Sequence, residues 1–286
     1  MRRLALAAGR RLPPGAVRAI NLARGIDAPR PMDLPPGRRV MVVAPHPDDE
    51  LVGAGGTIAK HVAAGHLVHI VMATSGEASA SFLGLDPDAA RAQREDEARA
   101  ALGEVGIGAD QVVFLRLAEK DLSSRISPPN GAGRAGRARA SASGAVDPVL
   151  TGAGALTGAL AGFGPDLVYS PSPADGHSVH AAVAGMVATA VRSLTSVTHV
   201  ALYEVMTPVY PTVVVDVTDY IEAKLAGLGH YASALASFDI VHAARGLAAY
   251  RSVHAQHGRG YAEAFTLLRP SEFTDLVKRT ADPPAG

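Results

Sequence analysis

Short apolar runs alternate with longer stretches of mixed polarity along much of the chain. The first run, RVMVVAP at 39–45, is nearly all apolar and rich in β-branched residues, as expected of a strand covered on both faces. HLVHIVMATSGE at 66–77 and PDLVYSPS at 165–172 repeat this pattern. Three further strands are predicted over QVVFLRL (111–117), HVALYEVM and PTVVVDVT.

The stretches between these runs predict helices. DELVGAGGTIAKHVAAG follows the first strand and leads into a helix that ends at Gly65. DPDAARAQREDEARAALGEVG (86–106) predicts a charged helix with Pro87 in its first turn. Further helices are expected over 148–162, about 180–194 and much of the chain up to about 257. This alternation of strands and helices favours an α/β fold with a mostly parallel sheet.

Arginine is concentrated ahead of the first predicted strand, where residues 1–39 contain nine Arg and two Asp. The apolar stretch LALAAG is shorter than the roughly 7–15 residues of a signal-peptide core, and no apolar run approaches the ~20 residues of a transmembrane span. We therefore predict a basic N-terminal arm over 1–38 and a cytoplasmic protein. The arm either packs on the protein surface or makes peripheral contact with an anionic membrane or a lipid-linked substrate.

A single main domain is predicted over 39–270. Its apolar periodicity is interrupted at 123–148, where Gly, Ala, Ser, Arg and Pro dominate, so we predict a flexible loop insertion there. Residues 271–286 are predicted to form a C-terminal tail. The formal net charge of zero gives no indication of nucleic-acid binding, and the absence of cysteine excludes disulfides and thiolate metal sites.

One imidazole and three carboxylates directly follow the first predicted strand, at His46, Asp48, Asp49 and Glu50. In open parallel sheets, ligands bind beyond the carboxyl ends of the strands, so these side chains lie at the edge that carries a site. Crowded acids are costly unless a cation or hydrogen bonds compensate them, although they are also typical of a solvated helix N-terminus. His46 and Asp49 are three residues apart across a turn begun by Pro47, a spacing that lets both converge on one metal ion.

A further metal ligand is expected from another strand end, and HSVH (177–180) is the best candidate. It follows the predicted strand DLVYS through a Pro-rich loop, at the start of a helix. HLVH (66–69) lies instead at the beginning of a strand, and its two histidines point to opposite faces. HAQH (254–257) lies in a late helical region with no preceding strand. Of the three histidine pairs with this spacing, only HSVH lies at the edge that carries the site.

Two other features have ordinary structural interpretations. GAGG at 53–56 lacks the G-x-G-x-x-G spacing of a dinucleotide-binding loop. Arg94 and Glu95 belong to a charge-rich helix, where a solvated face or an internal ion pair is expected.

PHPDDE (45–50) closely resembles the A-H-P-D-D-E signature of the LmbE-like, or PIG-L, family of zinc-dependent N-acetylglucosamine deacetylases. The similarity extends over about residues 39–268 through GAGGTIAKHVAAGH, TSGE, YSPSPADGHSVHAAV, YEV, VDVT and YAEAF. The resemblance implies a Rossmann-like three-layer sandwich, a bound Zn²⁺ (with another divalent metal such as Fe²⁺ as the alternative) and an N-acetylated amino-sugar conjugate as substrate. Three N or O ligands with an open position are typical of catalytic zinc.

The resemblance also implies roles for individual residues. His46, Asp49 and His180 would be the metal ligands, and Asp48 would be the general base on the zinc-bound water. His177 would stabilise the developing oxyanion and protonate the leaving amine. These assignments give acid and base work to separate groups, which the cleavage of an amide requires because an unprotonated amine leaves poorly.

This chain departs from the family pattern at two positions. Pro45 replaces an alanine that offers no functional side chain. Val179 replaces the Asp of the usual H-P-D-H motif, and Asp175 is the candidate substitute if that Asp tunes a histidine. Glu50 and Glu263 are further candidates for supporting or substrate-binding roles. Because of Val179, a catalytically weak or inactive sugar-binding protein of the same fold is the alternative to an active enzyme.

Overall fold

The computed structural model describes residues 28–123 and 148–281, which form one sheet with helices on both faces. The eight strands in that part of the chain are Arg30–Met32 (β1), Arg39–Ala44 (β2), Leu67–Met72 (β3), Val112–Phe114 (β4), Leu167–Pro171 (β5), His199–Tyr203 (β6), Val213–Asp216 (β7) and Ala262–Leu268 (β8). Their order across the sheet is β1-β7-β8-β6-β5-β2-β3-β4.

The helices that connect or follow these strands are Asp49–Ala63 (α1), Ala80–Leu83 (α2), Pro87–Glu104 (α3), Glu119–Ser123 (α4), Pro148–Phe163 (α5), Ser178–Val191 (α6), Ile221–Gly229 (α7), Ala232–Leu235 (α8), Ile240–Arg251 (α9) and Pro270–Ala281 (α10). Single turns of 3₁₀ helix occur at Glu77–Ser79, Ala109–Gln111, Thr218–Tyr220 and Ser252–His254.

Strand direction decides where the site can form. Paired strands run parallel throughout the described sheet except at β8, which is antiparallel to both β6 and β7. The parallel strands β2, β4, β5 and β6 therefore all end at one edge of the sheet. The loops that follow them converge there, as the rule for open α/β sheets requires.

The sheet separates two apolar cores because successive side chains of a strand point to opposite faces. Val40 and Val42 of β2 pack on the face that carries α1, α3, α7 and α9. Met41 and Val43 pack on the opposite face, against α5, α6 and α10. Helix, sheet and helix form three layers, which confirms the predicted Rossmann-like α/β sandwich.

α1 packs very closely on the sheet, and GAGG makes this approach possible. A Cβ atom at Gly53 would lie only 2.2 Å from Cδ2 of Tyr203 on β6. Gly53 therefore serves helix–sheet packing rather than binding of a dinucleotide.

Two elements lie outside the predicted main domain of 39–270. β1 belongs to the predicted arm yet pairs with β7, and α10 occupies the predicted tail yet buries Phe273 in the core. A three-residue strand carries too few apolar positions to be recognised from sequence. Residues 1–27 of the predicted arm lie outside the described residues, as does the predicted loop at 123–148 apart from its two end residues. Within the described ranges, no helix has the length and apolar character needed to cross a bilayer.

Candidate metal centre at the carboxyl edge of the sheet

The turn between β2 and α1 brings His46 and Asp49 together. Asp49 Oδ2 lies 3.1 Å from His46 Nδ1 and also accepts a hydrogen bond from the His46 backbone N–H at 2.9 Å. Asp49 is 3% exposed, so its carboxylate is almost fully removed from water. The three-residue spacing across Pro47 therefore brings the His46 imidazole into contact with the Asp49 carboxylate.

The loop after β5 brings two more imidazoles to the same point. His177 occupies the position before the first residue of α6, and His180 lies in the first turn of that helix. His180 Nε2 is 3.3 Å from Asp49 Oδ2, which links the two strand ends. His46, His177 and His180 each contribute a ligand nitrogen to a group whose members lie within 4.8 Å of one another.

The donor spacing fits a small divalent cation. Ligand atoms 2.0–2.1 Å from a tetrahedral zinc ion lie about 3.3 Å apart, and Asp49 Oδ2 lies 3.1 Å and 3.3 Å from the two histidine nitrogens. His177 Nδ1 is buried and makes no hydrogen bond. The donor set of imidazole and carboxylate suits zinc or iron and includes no thiolate.

The pKa values of His46 and His180 depend strongly on the charge of Asp49 between them. Burial opposes protonation of His46 and His180, but Asp49, with Glu119 and Asp175 respectively, outweighs it and raises their pKa values to about 9 and about 10. Burial alone would raise the pKa of Asp49, yet His180 and His46 lower it far below its usual range. The carboxylate is therefore paired with positive charge, a role that a bound cation would also fill.

Asp175 lies behind His180. Its Oδ1 is 3.1 Å from His180 Nδ1, the ring nitrogen that does not face Asp49. Backbone N–H groups of His177, Met206 and Thr207 donate to the same carboxylate. Burial would raise the pKa of Asp175, but the hydrogen bond and charge of His180 lower it. The structure thus gives His180 an ionised carboxylate partner from outside the H-S-V-H sequence.

Asp48 lies beside the cluster with its own partner. Arg94 Nη2 is 3.2 Å from Asp48 Oδ2 and also donates to the carbonyl of Pro47. Burial and the charge of Asp49 raise the pKa of Asp48 to about 6 against the opposing effect of Arg94. A carboxylate with a pKa this close to neutrality can both take up and release a proton.

Glu50 is fully buried and makes hydrogen bonds that support the turn. Its Oε1 accepts from the hydroxyl of Tyr231, and its Oε2 accepts from the backbone N–H of Asp48 at 3.1 Å. Burial raises the pKa of Glu50 to about 8, against the hydrogen bond from Tyr231. This placement fits the supporting role that the resemblance suggested.

Sequence reasoning missed Glu119 altogether. Its Oε2 lies 3.4 Å from His46 Nε2, and its Oε1 accepts from the backbone N–H of Ala78. Glu119 begins α4 soon after β4 ends, so the rule that identified His46 also applied to it.

For Arg94 the sequence predicts either a solvated helix face or an internal ion pair. The structure shows an internal ion pair, in which the buried Arg94 contacts Asp48.

Glu263 does not reach the cluster. It lies on β8, where its carboxylate accepts from the backbone N–H groups of Gly56 and Thr57 and pairs with Lys224 at 2.7 Å. The histidines of HLVH have partners of their own. His66 contacts His61, and His69 stacks on Phe163.

An open α/β sheet that gathers imidazole and carboxylate donors at the carboxyl ends of its strands defines a Rossmann-like protein with a candidate metal centre. Comparison with known families is more specific. The chain belongs to the PIG-L family, whose model is described as GlcNAc-PI de-N-acetylase and matches residues 41–191. This confirms the resemblance that PHPDDE first indicated.

Among characterised relatives, a 1D-myo-inositol 2-acetamido-2-deoxy-alpha-D-glucopyranoside deacetylase from Kineococcus radiotolerans is 38% identical over 74 residues. The matched segment spans 24% of this chain and 20% of that protein, so the likeness covers only a small part of either.

Solved structures show the same fold at low identity. An N,N'-diacetylchitobiose deacetylase from Pyrococcus horikoshii aligns over 94% of this chain and 97% of its own, with 20% identity and a TM-score of 0.66. A teicoplanin deacetylase in a zinc-inhibited form aligns over 80% and 98%, with 19% identity and a TM-score of 0.59. The 4-carboxy-2-hydroxymuconate hydratase from Pseudomonas putida aligns over 80% and 95%, with 20% identity and a TM-score of 0.62. One fold therefore carries different chemistries, and function has to be argued from the site.

Proposed function

We propose that this protein is a metal-dependent hydrolase that removes the N-acetyl group from a conjugate containing N-acetylglucosamine. The observation that carries the proposal is the position of Asp49 Oδ2, 3.1 Å from His46 Nδ1 and 3.3 Å from His180 Nε2, beside a second carboxylate with a raised pKa at Asp48. Membership of the PIG-L family supports an amide of an acetylated amino sugar as the substrate.

His46, Asp49 and His180 would hold the metal ion. A divalent cation held by these residues would polarise the amide carbonyl and lower the pKa of water to about 7, which makes hydroxide available near neutral pH. Asp175 would keep the His180 ring in place through its contact with Nδ1. Ligation requires neutral imidazoles, so binding of the ion would displace the protons that Asp49 otherwise stabilises on both histidines.

Asp48 would act as the general base. It accepts the proton of the attacking water while the water oxygen adds to the acetyl carbonyl carbon. Arg94 holds this carboxylate through Oδ2 and is itself 6% exposed, so the base is kept in one orientation. A positioned base of suitable pKa typically contributes 10²–10⁴-fold to the rate.

His177 would serve the carbonyl oxygen and the leaving nitrogen. It is partly exposed, and burial together with the charges of His46 and His180 lowers its pKa. As the C–N bond breaks, the nitrogen takes a proton and the products are acetate and the free amine.

The test is an acetate-release screen over N-acetylglucosamine conjugates with thiol-precursor, antibiotic, lipid and polysaccharide aglycones. Protein loaded separately with Zn²⁺ and Fe²⁺ should be assayed with its metal content measured, because zinc inhibits a deacetylase of the same fold. We expect acetate and free amine in equal amounts with at least one metal. Binding of a conjugate without acetate release under either loading would contradict the proposal and favour the inactive sugar-binding protein.

A further inference from the structure

The backbone of Asp48 adopts a conformation that its side chain disfavours. Its φ is 115°, outside the regions that residues with a Cβ atom normally occupy. A conformation of this kind persists only when the surrounding structure enforces it. Asp48 precedes the first residue of α1, but its carboxylate makes no capping hydrogen bond. Other groups must therefore hold the turn.

One chain of hydrogen bonds holds the backbone of Asp48. Its N–H donates to Glu50 Oε2, and the Tyr231 hydroxyl donates to Glu50 Oε1. Glu50 and Tyr231 are both 0% exposed, so bulk water does not compete for either bond. Tyr231 lies 181 residues beyond Glu50 in the sequence, directly before α8. The turn is thus tied to a distant element of the fold.

A second chain holds the side chain of Asp48 from the same element. Arg94 donates to Asp48 Oδ2 through Nη2 and to Ser233 Oγ through Nη1 at 2.8 Å. Ser233 in turn hydrogen-bonds Glu97 of α3. Ser233 is only two residues from Tyr231, so a single short segment contacts both the backbone and the carboxylate of Asp48 through one intermediary each.

We infer that the segment Tyr231–Ser233 positions Asp48 for its work as the general base, with Tyr231 acting through Glu50. This deepens the proposed function, since it names the device that sets the base of that site. Tyr231 touches no reacting atom in this scheme and is a positioning residue. Removing its hydroxyl leaves a buried carboxylate with one partner fewer, and the bond that fixes the Asp48 N–H loses its anchor.

The test compares Tyr231→Phe with Tyr169→Phe in the metal-loaded protein. Tyr169 is a matched control because it is also 0% exposed and its hydroxyl hydrogen-bonds a side chain, His61, at 2.9 Å. Crystal structures of both variants report the conformation of Asp48 directly. We expect φ of Asp48 to leave the positive region, or its carboxylate to move by about 1 Å, in Tyr231→Phe only.

Turnover gives the second measurement. A displacement of about 1 Å can cost on the order of 10²-fold in rate, so we expect kcat of Tyr231→Phe to fall roughly 10- to 100-fold with KM nearly unchanged. Tyr169→Phe should keep both constants. If wild-type protein releases no acetate from any conjugate, the proposed function fails while the crystal structures still decide this inference. An unchanged Asp48 in Tyr231→Phe overturns it. Should that variant not fold, Ser233→Ala takes its place with the same readouts and the same deciding result.

Discussion

Asp175 Oδ1 lies 3.1 Å from Nδ1 of His180, on the side of the ring away from Asp49. A carboxylate in this position fixes the orientation of a metal-binding imidazole and raises its basicity. Val179, the position at which H-S-V-H departs from the H-P-D-H motif, is 1% exposed and packs in the apolar core from the first turn of α6. The His180 ring therefore has a carboxylate partner although Val179 supplies none.

Asp175→Asn should weaken divalent-metal binding by about 10- to 100-fold, because loss of a carboxylate behind a ligating histidine typically has this effect. Calorimetric titration of metal-free protein with Zn²⁺ measures it. Asp219→Asn, a change at an exposed residue of a 3₁₀ turn, is the matched control and should bind as wild type does. Equal affinities for both variants would remove Asp175 from the assigned role.

Val179→Asp should destabilise the protein without raising kcat. The new carboxylate would enter an apolar core at a position that is 1% exposed, and burial of an unpaired charge is among the few changes that cost about 3 kcal/mol or more. Urea unfolding gives the free energy of unfolding, and acetate release gives kcat. A stable variant with a higher kcat would show that the absence of Asp at position 179 limits turnover and that Asp175 does not compensate for it.

Asp48→Asn should lower kcat by roughly 10²–10⁴-fold, since the amide cannot accept the proton of the attacking water. Metal content should stay at the wild-type level, because His46, Asp49 and His180 are untouched. His180→Ala provides the contrast and should lose most of its metal together with its activity. The base assignment fails if Asp48→Asn remains fully active, and the ligand assignment fails if His180→Ala keeps its metal.

Glu263→Gln should cost about 3 kcal/mol of unfolding free energy, because it leaves the 2%-exposed ammonium of Lys224 without its charged partner. KM should be unchanged, since the hydrogen bonds of Glu263 go to α1 and to Lys224. The exposed pair of Arg269 and Glu272 gives the control, and Glu272→Gln should change stability by well under 1 kcal/mol. A large rise in KM for Glu263→Gln would instead support contact with substrate.

His61 should make the protein sensitive to acid at a place remote from the metal centre. Burial first, and then the charge of His66, lowers the pKa of His61 to about 3. Below its ordinary value of 6.5 the unfolded chain therefore binds a proton that the folded protein does not, and stability falls as pH falls. From pH 7.5 to pH 5 the loss is about 2 kcal/mol.

The measurement is the free energy of unfolding of wild type and of His61→Gln at both pH values. Gln keeps polar atoms near Tyr169 and His66 but does not titrate in this range. The difference between the two proteins should shrink by about 2 kcal/mol at pH 5. A difference independent of pH would mean that His61 is protonated in the folded protein.

Much of the site was predictable because strand direction leaves so few alternatives. Once β2 and β5 were recognised as parallel strands, their carboxyl ends had to meet at one edge, so His46, Asp49 and His180 had to lie close together. The same rule applied to Glu119, because the strand that precedes it was predicted over 111–117, but no motif around Glu119 marked it as a partner of His46. For Arg94 the sequence left two alternatives open, a solvated face and an internal ion pair.

The sequence by itself thus determined the alternation of strands and helices, the edge that carries the site and the turn that joins His46 to Asp49. These features follow from local spacing and from the fixed geometry of a parallel sheet. Only the tertiary structure decided that β8 runs antiparallel, that Glu263 pairs with Lys224, and that Tyr231 holds Glu50. The physical reason is that such contacts join residues far apart in the chain, and packing of whole helices sets which buried polar groups meet.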